Sequence, residues 1–170
     1  MTETAAGSGG GLRYASELAT SEMVNQNTIA TCVVACIRQL LIDSGIEVSE
    51  RMLAEAVGIL DGDGSTAESA ARTLTELHPR LAYVGGCLPF EQLSVFFRRD
   101  PWVAFLRTDS GRVHSVIVDG FDGSLVRVRD PWGLTGPGTG NGVRATMELE
   151  LFQSRWKTTF CNGVVPNRIK

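Results

Sequence analysis

Hydrophobic residues recur at helical spacing in the first half of the chain and alternate with polar residues in the second half. The clearest helical stretch covers residues 32–43, follows Thr31 as a candidate N-cap and stops at Ser44-Gly45. Its apolar positions lie close to the i, i+4, i+7, i+8 spacing of one buried face, and they are Val33, Ile37, Leu40, Leu41 and Ile42. This pattern predicts a buried helix that begins near Cys32.

The same reasoning predicts three more helices before residue 100. Ser49 is placed to cap one that ends near Gly58, and the Ser65-Thr66-Ala67-Glu68 sequence forms a capping box that opens the next. Pro89 stands in the first turn of the last of them, where its fixed φ suits a helix and its missing N–H costs nothing. A short strand is predicted over residues 81–84, and the first half is otherwise predicted to be mainly helical.

After residue 100 the hydrophobic period changes to two, which is typical of half-buried strands. Strands are predicted over residues 102–106, 113–118 and 125–130, followed by a glycine-rich loop over residues 133–142 and a last strand over residues 160–165. The predicted fold class is α+β, with a helical N-terminal half packed on an antiparallel C-terminal half.

Composition and charge narrow the possible functions. The chain has 170 residues, 43% hydrophobic and 21% charged, with a net charge of −3, which suits a globular protein and gives no reason to expect nucleic acid or a membrane as partner. No apolar run is long enough to span a bilayer, and no signal peptide is visible. The four cysteines include no C-x-x-C pair and the two histidines lie far apart, so no metal, other cofactor or disulfide framework is expected.

The N-terminal segment is predicted to be a flexible tail. Residues 1–11 are small and rich in glycine, and residues 1–21 are therefore assigned to a flexible tail or linker. The folded domain is expected over residues 22–170.

Cys32 is the first candidate for chemistry. Unpaired N–H groups and the positive end of the dipole at a helix start favour a thiolate there. Gln26, six residues earlier, carries a neutral amide that can donate to an oxyanion. Because a cysteine on a helix is most often a packing residue, this stretch alone favours a core role for Cys32.

A base and a carboxylate occur on adjacent predicted strands. Counted back from the Asp122-Gly123 turn, His114 and Asp130 stand opposite each other or one residue out of register. A carboxylate that accepts from one imidazole nitrogen leaves the other nitrogen free for a partner. Asp119 lies five residues from His114 on the same strand, hence on the opposite face, and is the weaker candidate. Taken singly, His114 fits a half-buried strand residue and Asp130 a turn residue.

Together these motifs resemble those of the papain-like cysteine peptidases. The likeness is strongest to the leader-removing peptidase domains of bacterial double-glycine peptide exporters and their stand-alone relatives, and it covers residues 22–160. The matching elements are Gln26, Cys32, the Ala35-Cys36 pair with the apolar helix after it, the apolar strand of residues 114–120, and Asp130-Pro131. The chain differs from those domains at Thr31 and Val33, where they usually carry an acidic residue and glycine.

The resemblance implies a papain-like fold and a cysteine endopeptidase that acts on a protein or peptide substrate through a thioester acyl-enzyme. It implies Cys32 as nucleophile, His114 as general base and acid, and Asp130 as orienting carboxylate. Gln26 and the Cys32 backbone N–H would form the oxyanion hole. Similar modules occur in secreted bacterial effectors, so a toxin role with a cognate immunity or inhibitor protein is a further expectation.

Two alternatives stay open at this point. The same triad acting on a glutamine side chain would make a deamidase or a transglutaminase-like enzyme. A papain-like scaffold can also serve as a non-catalytic binding module. Without a signal peptide, the chain is expected in the cytoplasm or in a target cell reached through a specialised secretion system.

Overall fold

The fold is described by a computed structural model for residues 5–6, 11–59, 64–78 and 80–167. The strands are β1 Ala5–Ala6, β2 Ser16–Val24, β3 Ser65–Thr66, β4 Ala82–Cys87, β5 Trp102–Arg107, β6 Val113–Phe121, β7 Leu125–Asp130, β8 Asn141–Glu148 and β9 Asn162–Asn167. The helices are α1 Cys32–Asp43, α2 Glu50–Val57, α3 Ala67–Leu77, α4 Leu93–Phe96 and α5 Leu149–Lys157, with a 3-10 turn over Phe90–Gln92. Within these described segments, no helix has both the length and the apolar character needed to cross a membrane.

Seven of the strands form one antiparallel sheet in the order β2-β8-β7-β6-β5-β9-β4. The centre of the sheet comes from the second half of the chain, as the alternating pattern predicts. Both edge strands, β2 and β4, come from the first half. Strand β4 matches the short strand predicted over residues 81–84, whereas β2 was not predicted.

The pairing and exposure of strand β2 explain why it was not predicted. It pairs with β8, with Ser16 opposite Thr146 and Val24 opposite Asn141. Met23 is buried, whereas most of the other β2 side chains are exposed, so the sequence shows no apolar alternation here. The boundary placed after residue 21 falls inside this strand. Most of the glycine-rich run, residues 1–4 and 7–10, lies outside the described residues.

The capping and turn residues in the sequence predict most of the helix ends correctly. Helix α1 has the predicted bounds, and the Ser49 hydroxyl accepts from the Met52 N–H at 3.2 Å at the start of α2. In α3 the N-cap is Thr66 rather than Ser65, and its hydroxyl accepts from the Ser69 N–H at 3.2 Å. The helix predicted after Pro89 is a 3-10 turn followed by the four-residue α4.

Hydrophobic clusters cover both faces of the sheet. Helices α1, α2 and α3 pack on one face, and α4 and α5 pack on the other. Strand β6 shows the alternation: Val113 and Ile117 belong to the first cluster, and Val116 and Val118 belong to the second. His114 lies in phase with Val116, which places it on the α4–α5 face.

Candidate active site

Cys32 is the first residue of α1, and the loop before it leaves the helix start uncapped by a side chain. The Thr31 hydroxyl does not cap the helix. It accepts from the Thr28 N–H and donates to the Thr28 carbonyl, both at 3.0 Å. The first turn also contains no acidic residue. The positive end of the helix dipole is therefore available to a thiolate at Cys32.

The register of β6 and β7 brings His114 and Asp130 to the same face. Ile117 stands opposite Arg129, and an irregularity in the pairing occurs between Val118 and Gly120. Continuing this register places Asp130 opposite Val116, two residues from His114. The predicted register was wrong because the turn is centred later than assumed, with Phe121 opposite Val126 and Gly120 opposite Arg127. The irregularity recovers only one residue of that displacement. A displacement of two residues preserves the face, so the side chains still meet.

Asp130 accepts hydrogen bonds from three donors. His114 Nε2 lies 2.5 Å from Asp130 Oδ1, and because an ionised carboxylate only accepts, Nε2 carries the proton. The Trp132 N–H donates to the same oxygen at 2.8 Å, and the Tyr14 hydroxyl donates to Oδ2 at 2.5 Å. Burial raises the pKa of Asp130, but the charge and hydrogen bond of His114, with the other two donors, hold it below its ordinary value.

Cys32 and His114 shift each other's ionisation in opposite directions. Burial opposes the thiolate, yet the interaction with His114, with contributions from Ser115, holds the pKa of the Cys32 thiol below its ordinary value. Burial also opposes the imidazolium, yet Asp130 and then Cys32 raise the pKa of His114 to about 10. These shifts favour a thiolate beside an imidazolium near neutral pH. Both side chains are fully buried, so a ligand reaches the sulfur only if neighbouring groups move.

The second cysteine of α1 has a different environment. Cys36 Sγ lies 3.6 Å from Ser115 Oγ in a fully buried position. Burial, followed by the charge of Cys32, raises the pKa of the Cys36 thiol well above its ordinary value. Of the two thiols on this helix, Cys32 is therefore the one prepared for reaction.

Gln26 is fixed by its backbone and its side chain. Its N–H donates to the Pro131 carbonyl at 2.9 Å, and its carbonyl accepts from the Gly138 N–H at 2.8 Å. The side-chain amide is fully buried, and its Nε2 donates to the Thr28 carbonyl at 2.8 Å. An amide nitrogen carries a second hydrogen, which leaves one donor for another acceptor. Gln26 is thus bonded to the loop that leads into Cys32.

Asp119, the weaker carboxylate candidate, has another partner. Its two oxygens accept from Arg129 Nε at 2.9 Å and from Arg129 Nη2 at 2.8 Å. Asp119 is therefore paired with Arg129 and not with His114.

Three further residues around this site were given no role from the sequence. Tyr14 bonds Asp130 but falls in the segment assigned to the tail, where the one signal was that it is the sole aromatic residue before residue 22. The Trp132 ring meets the His114 ring edge-on, with the centroids 6.2 Å apart. Asn25, next to Gln26 in the chain, bonds the loop after Asp130.

Among the residues described above, no group of three or more His, Cys, Asp or Glu side chains is arranged to hold a metal ion.

The fold agrees with the one that the motif resemblance implied, and comparison with solved structures supports that fold. A C39-like peptidase from Bacillus anthracis superposes with a TM-score of 0.65 at 15% identity, covering 91% of this chain and 99% of that one. The peptidase domain of Streptococcus ComA, a bifunctional ABC transporter involved in quorum sensing, gives 0.63 at 19% identity, with 85% and 96% coverage.

A third structure has a ligand. The double glycine motif protease of an AMS/PCAT transporter, solved in complex with the leader peptide, gives a TM-score of 0.62 at 17% identity, covering 90% of this chain and 92% of that one. No protein-family model and no curated protein matches the sequence. At these identities the chain has the fold of C39-like peptidase domains, and the resemblance stated from its motifs is confirmed to that extent.

Proposed function

We propose that this protein is a papain-like cysteine endopeptidase that cleaves a protein or peptide substrate. One observation carries the proposal. A thiol with a lowered pKa interacts with an imidazole of raised pKa, and that imidazole bonds a buried carboxylate. This arrangement, in the fold of C39-like peptidases, is what acyl transfer by a cysteine requires.

The reaction follows from the positions of these groups. The Cys32 thiolate attacks the scissile carbonyl carbon, and the displaced electron pair goes to the carbonyl oxygen. The Cys32 backbone N–H and the Gln26 amide would donate to that oxyanion. The His114 imidazolium protonates the leaving amine, which yields a thioester. A water molecule that gives its proton to His114 then hydrolyses the thioester and regenerates the thiol.

The substrate class is a peptide chain. One structure with this fold was solved with a leader peptide, which supports a peptide ligand here. A role as a secreted effector or toxin, with a cognate inhibitor protein, belongs to the same proposal and rests on the resemblance of the sequence motifs.

The test is mass spectrometry of peptides and proteins incubated with the chain, including peptides with a double-glycine leader. We expect two fragments whose masses sum to that of the substrate plus water. Cys32→Ala should abolish cleavage without loss of the fold, and Cys36→Ala on the same helix is the matched control that should keep it. Cleavage by Cys32→Ala at the wild-type rate would contradict the proposal. The small mass gain of deamidation would favour a deamidase, and binding without any mass change would favour a binding module.

A further inference from the structure

The outer oxygen of the Asp130 carboxylate has a partner that the proposed mechanism does not use. His114 and the Trp132 N–H share Oδ1, whereas the Tyr14 hydroxyl donates to Oδ2 at 2.5 Å. Both oxygens of this buried carboxylate are therefore hydrogen-bonded. Donors on both oxygens fix the plane of a carboxylate as well as its charge.

The segment that carries Tyr14 is held at both ends. The Gly11 carbonyl accepts from the Asp109 N–H at 3.0 Å in the β5–β6 turn, and the Ala15 N–H donates to the Thr146 carbonyl of β8 at 2.7 Å. Since β6 and β7 lie between these two points, residues 11–15 cross the sheet over the strands that carry His114 and Asp130. The Tyr14 ring packs against the α4–α5 cluster. Residues 11–15, called the strap below, are therefore fixed to the sheet and hold the Tyr14 hydroxyl at Asp130.

We propose that Tyr14 is a positioning residue for this site, where it orients the Asp130 carboxylate toward His114 and keeps it ionised. The inference rests on the proposed function. Tyr14 touches no reacting atom and acts through Asp130, in the way that an outer partner orients an inner ligand. Burial first, and then the charge of Asp130, raise the pKa of Tyr14 well above its ordinary value, so the phenol stays a donor across the working range.

Other ionisable groups also lie close to the candidate site and contribute to the pH dependence of its reactions. Those that interact electrostatically with Tyr14, Asp130, His114 or the two α1 thiols are Glu17, Cys32, Cys36 and Arg129. The test variant leaves each of them in place, so a change in the profile is assigned to the lost hydroxyl.

The test is Tyr14→Phe, which keeps the ring and removes the hydroxyl. We expect kcat to fall about tenfold to a hundredfold with KM nearly unchanged, the size expected for a hydrogen bond to a charged group. With one donor fewer, Asp130 takes up a proton at higher pH, so the acid limb of Cys32 alkylation should move to higher pH. Tyr83→Phe is the matched control, since Tyr83 is the other tyrosine of the chain and packs against the opposite cluster. It should change neither readout.

A combined variant separates positioning from packing. If Tyr14 acts through Asp130, then Tyr14→Phe should have little further effect on alkylation in an Asp130→Asn background. Wild-type kcat and an unmoved acid limb in Tyr14→Phe would overturn the inference, as would a change in melting temperature alone. A wild-type protein that cleaves no substrate, and whose Cys32 alkylates like an ordinary thiol, would instead overturn the proposed function. The two failures are distinct because alkylation needs no substrate.

Discussion

At the scale of single residues, Gln26 offers the sharpest test of mechanism. Its buried amide bonds the Thr28 carbonyl and retains a second hydrogen. If that hydrogen binds the oxyanion, its effect appears only in the transition state. Gln26→Ala should therefore lower kcat and kcat/KM together by about two to three orders of magnitude, with KM nearly unchanged. Loss of the Thr28 bond should cost about 1 kcal/mol of unfolding free energy.

A second buried glutamine provides the control. Gln39 accepts from the Val24 N–H at 3.0 Å and donates to Asp43 at 2.9 Å, which ties α1 to β2. Gln39→Ala should lower the melting temperature at least as much as Gln26→Ala while the folded enzyme keeps its turnover. Equal turnover in Gln26→Ala and the wild type would leave Gln26 as a structural residue.

The ionisation of the thiol and the imidazole predicts a pH profile. On the acid side, hydrolysis should be lost as the Cys32 thiolate is protonated, at a pH below that of an ordinary thiol. On the alkaline side, it should fall as pH rises through about 10, where His114 loses the proton that the leaving amine needs. Alkylation of Cys32 needs only the thiolate and should show no alkaline fall. Initial rates of hydrolysis and of alkylation, measured from about pH 4 to about pH 11, would check both expectations.

His114→Ala is the control for that profile. Without the imidazolium, only Ser115 and the helix start oppose the effect of burial on Cys32, so its alkylation should require a higher pH than in the wild type. An unchanged alkylation profile in this variant would mean that the helix start, and not His114, activates the thiol.

At the scale of elements, one side chain joins the loop after β7 to the segment before α1. Asn25 Nδ2 lies within hydrogen-bond distance of the carbonyls of Pro131 and Gly136, at 2.9 and 3.2 Å. Asn25 Oδ1 accepts from the N–H groups of Thr139 and Gly140, at 2.7 and 3.2 Å. These hydrogen bonds of Asn25, called the staple below, hold residues 131–140 beside Gln26. The segment includes Trp132, whose ring meets His114.

Removing the staple should loosen that loop. In Asn25→Ala the amides of Thr139 and Gly140 lose their acceptor, so hydrogen exchange over residues 133–142 should become faster. Because Cys32 is fully buried, its alkylation should also become faster if this loop limits access. Asn27→Ala, two residues away, is the control, since Asn27 bonds Glu50 of α2 and not the loop. Equal exchange in both variants would mean that the loop is held by other contacts.

At the scale of the whole molecule, the candidate site is assembled from segments far apart in the chain. The strap before β2 supplies Tyr14, the start of α1 supplies Cys32, and two neighbouring strands supply His114 and Asp130. The sheet makes this possible because β6 and β7 lie at its centre, with α1 packed on one face and the strap on the other. Substitutions that shift the register of β6 and β7 are therefore expected to disturb the site even when they lie outside it.

The sequence by itself determined the features that depend on neighbouring residues. The bounds of α1, the Ser49 cap and strands β5, β6 and β7 follow from spacing, capping and turn residues, which act over a few positions. The motif resemblance also singled out Cys32, His114, Asp130 and Gln26 as candidates. In the structure His114 bonds Asp130 and interacts with Cys32, and Gln26 bonds the loop before α1.

Only the tertiary structure decided what depends on distant segments. Edge strand β2 forms because it pairs with β8, and its mostly exposed side chains show no alternation from which a strand could be predicted. The irregularity at Asp119 shifts the register by one residue, so that Asp130 stands opposite Val116 and not Ile117, on the same face as His114. Contacts between distant side chains, which no local pattern encodes, lowered the pKa of Cys32 and raised that of His114 against the opposing effect of burial. Tyr14 became part of the site for the same reason: its hydroxyl meets a carboxylate 116 residues away.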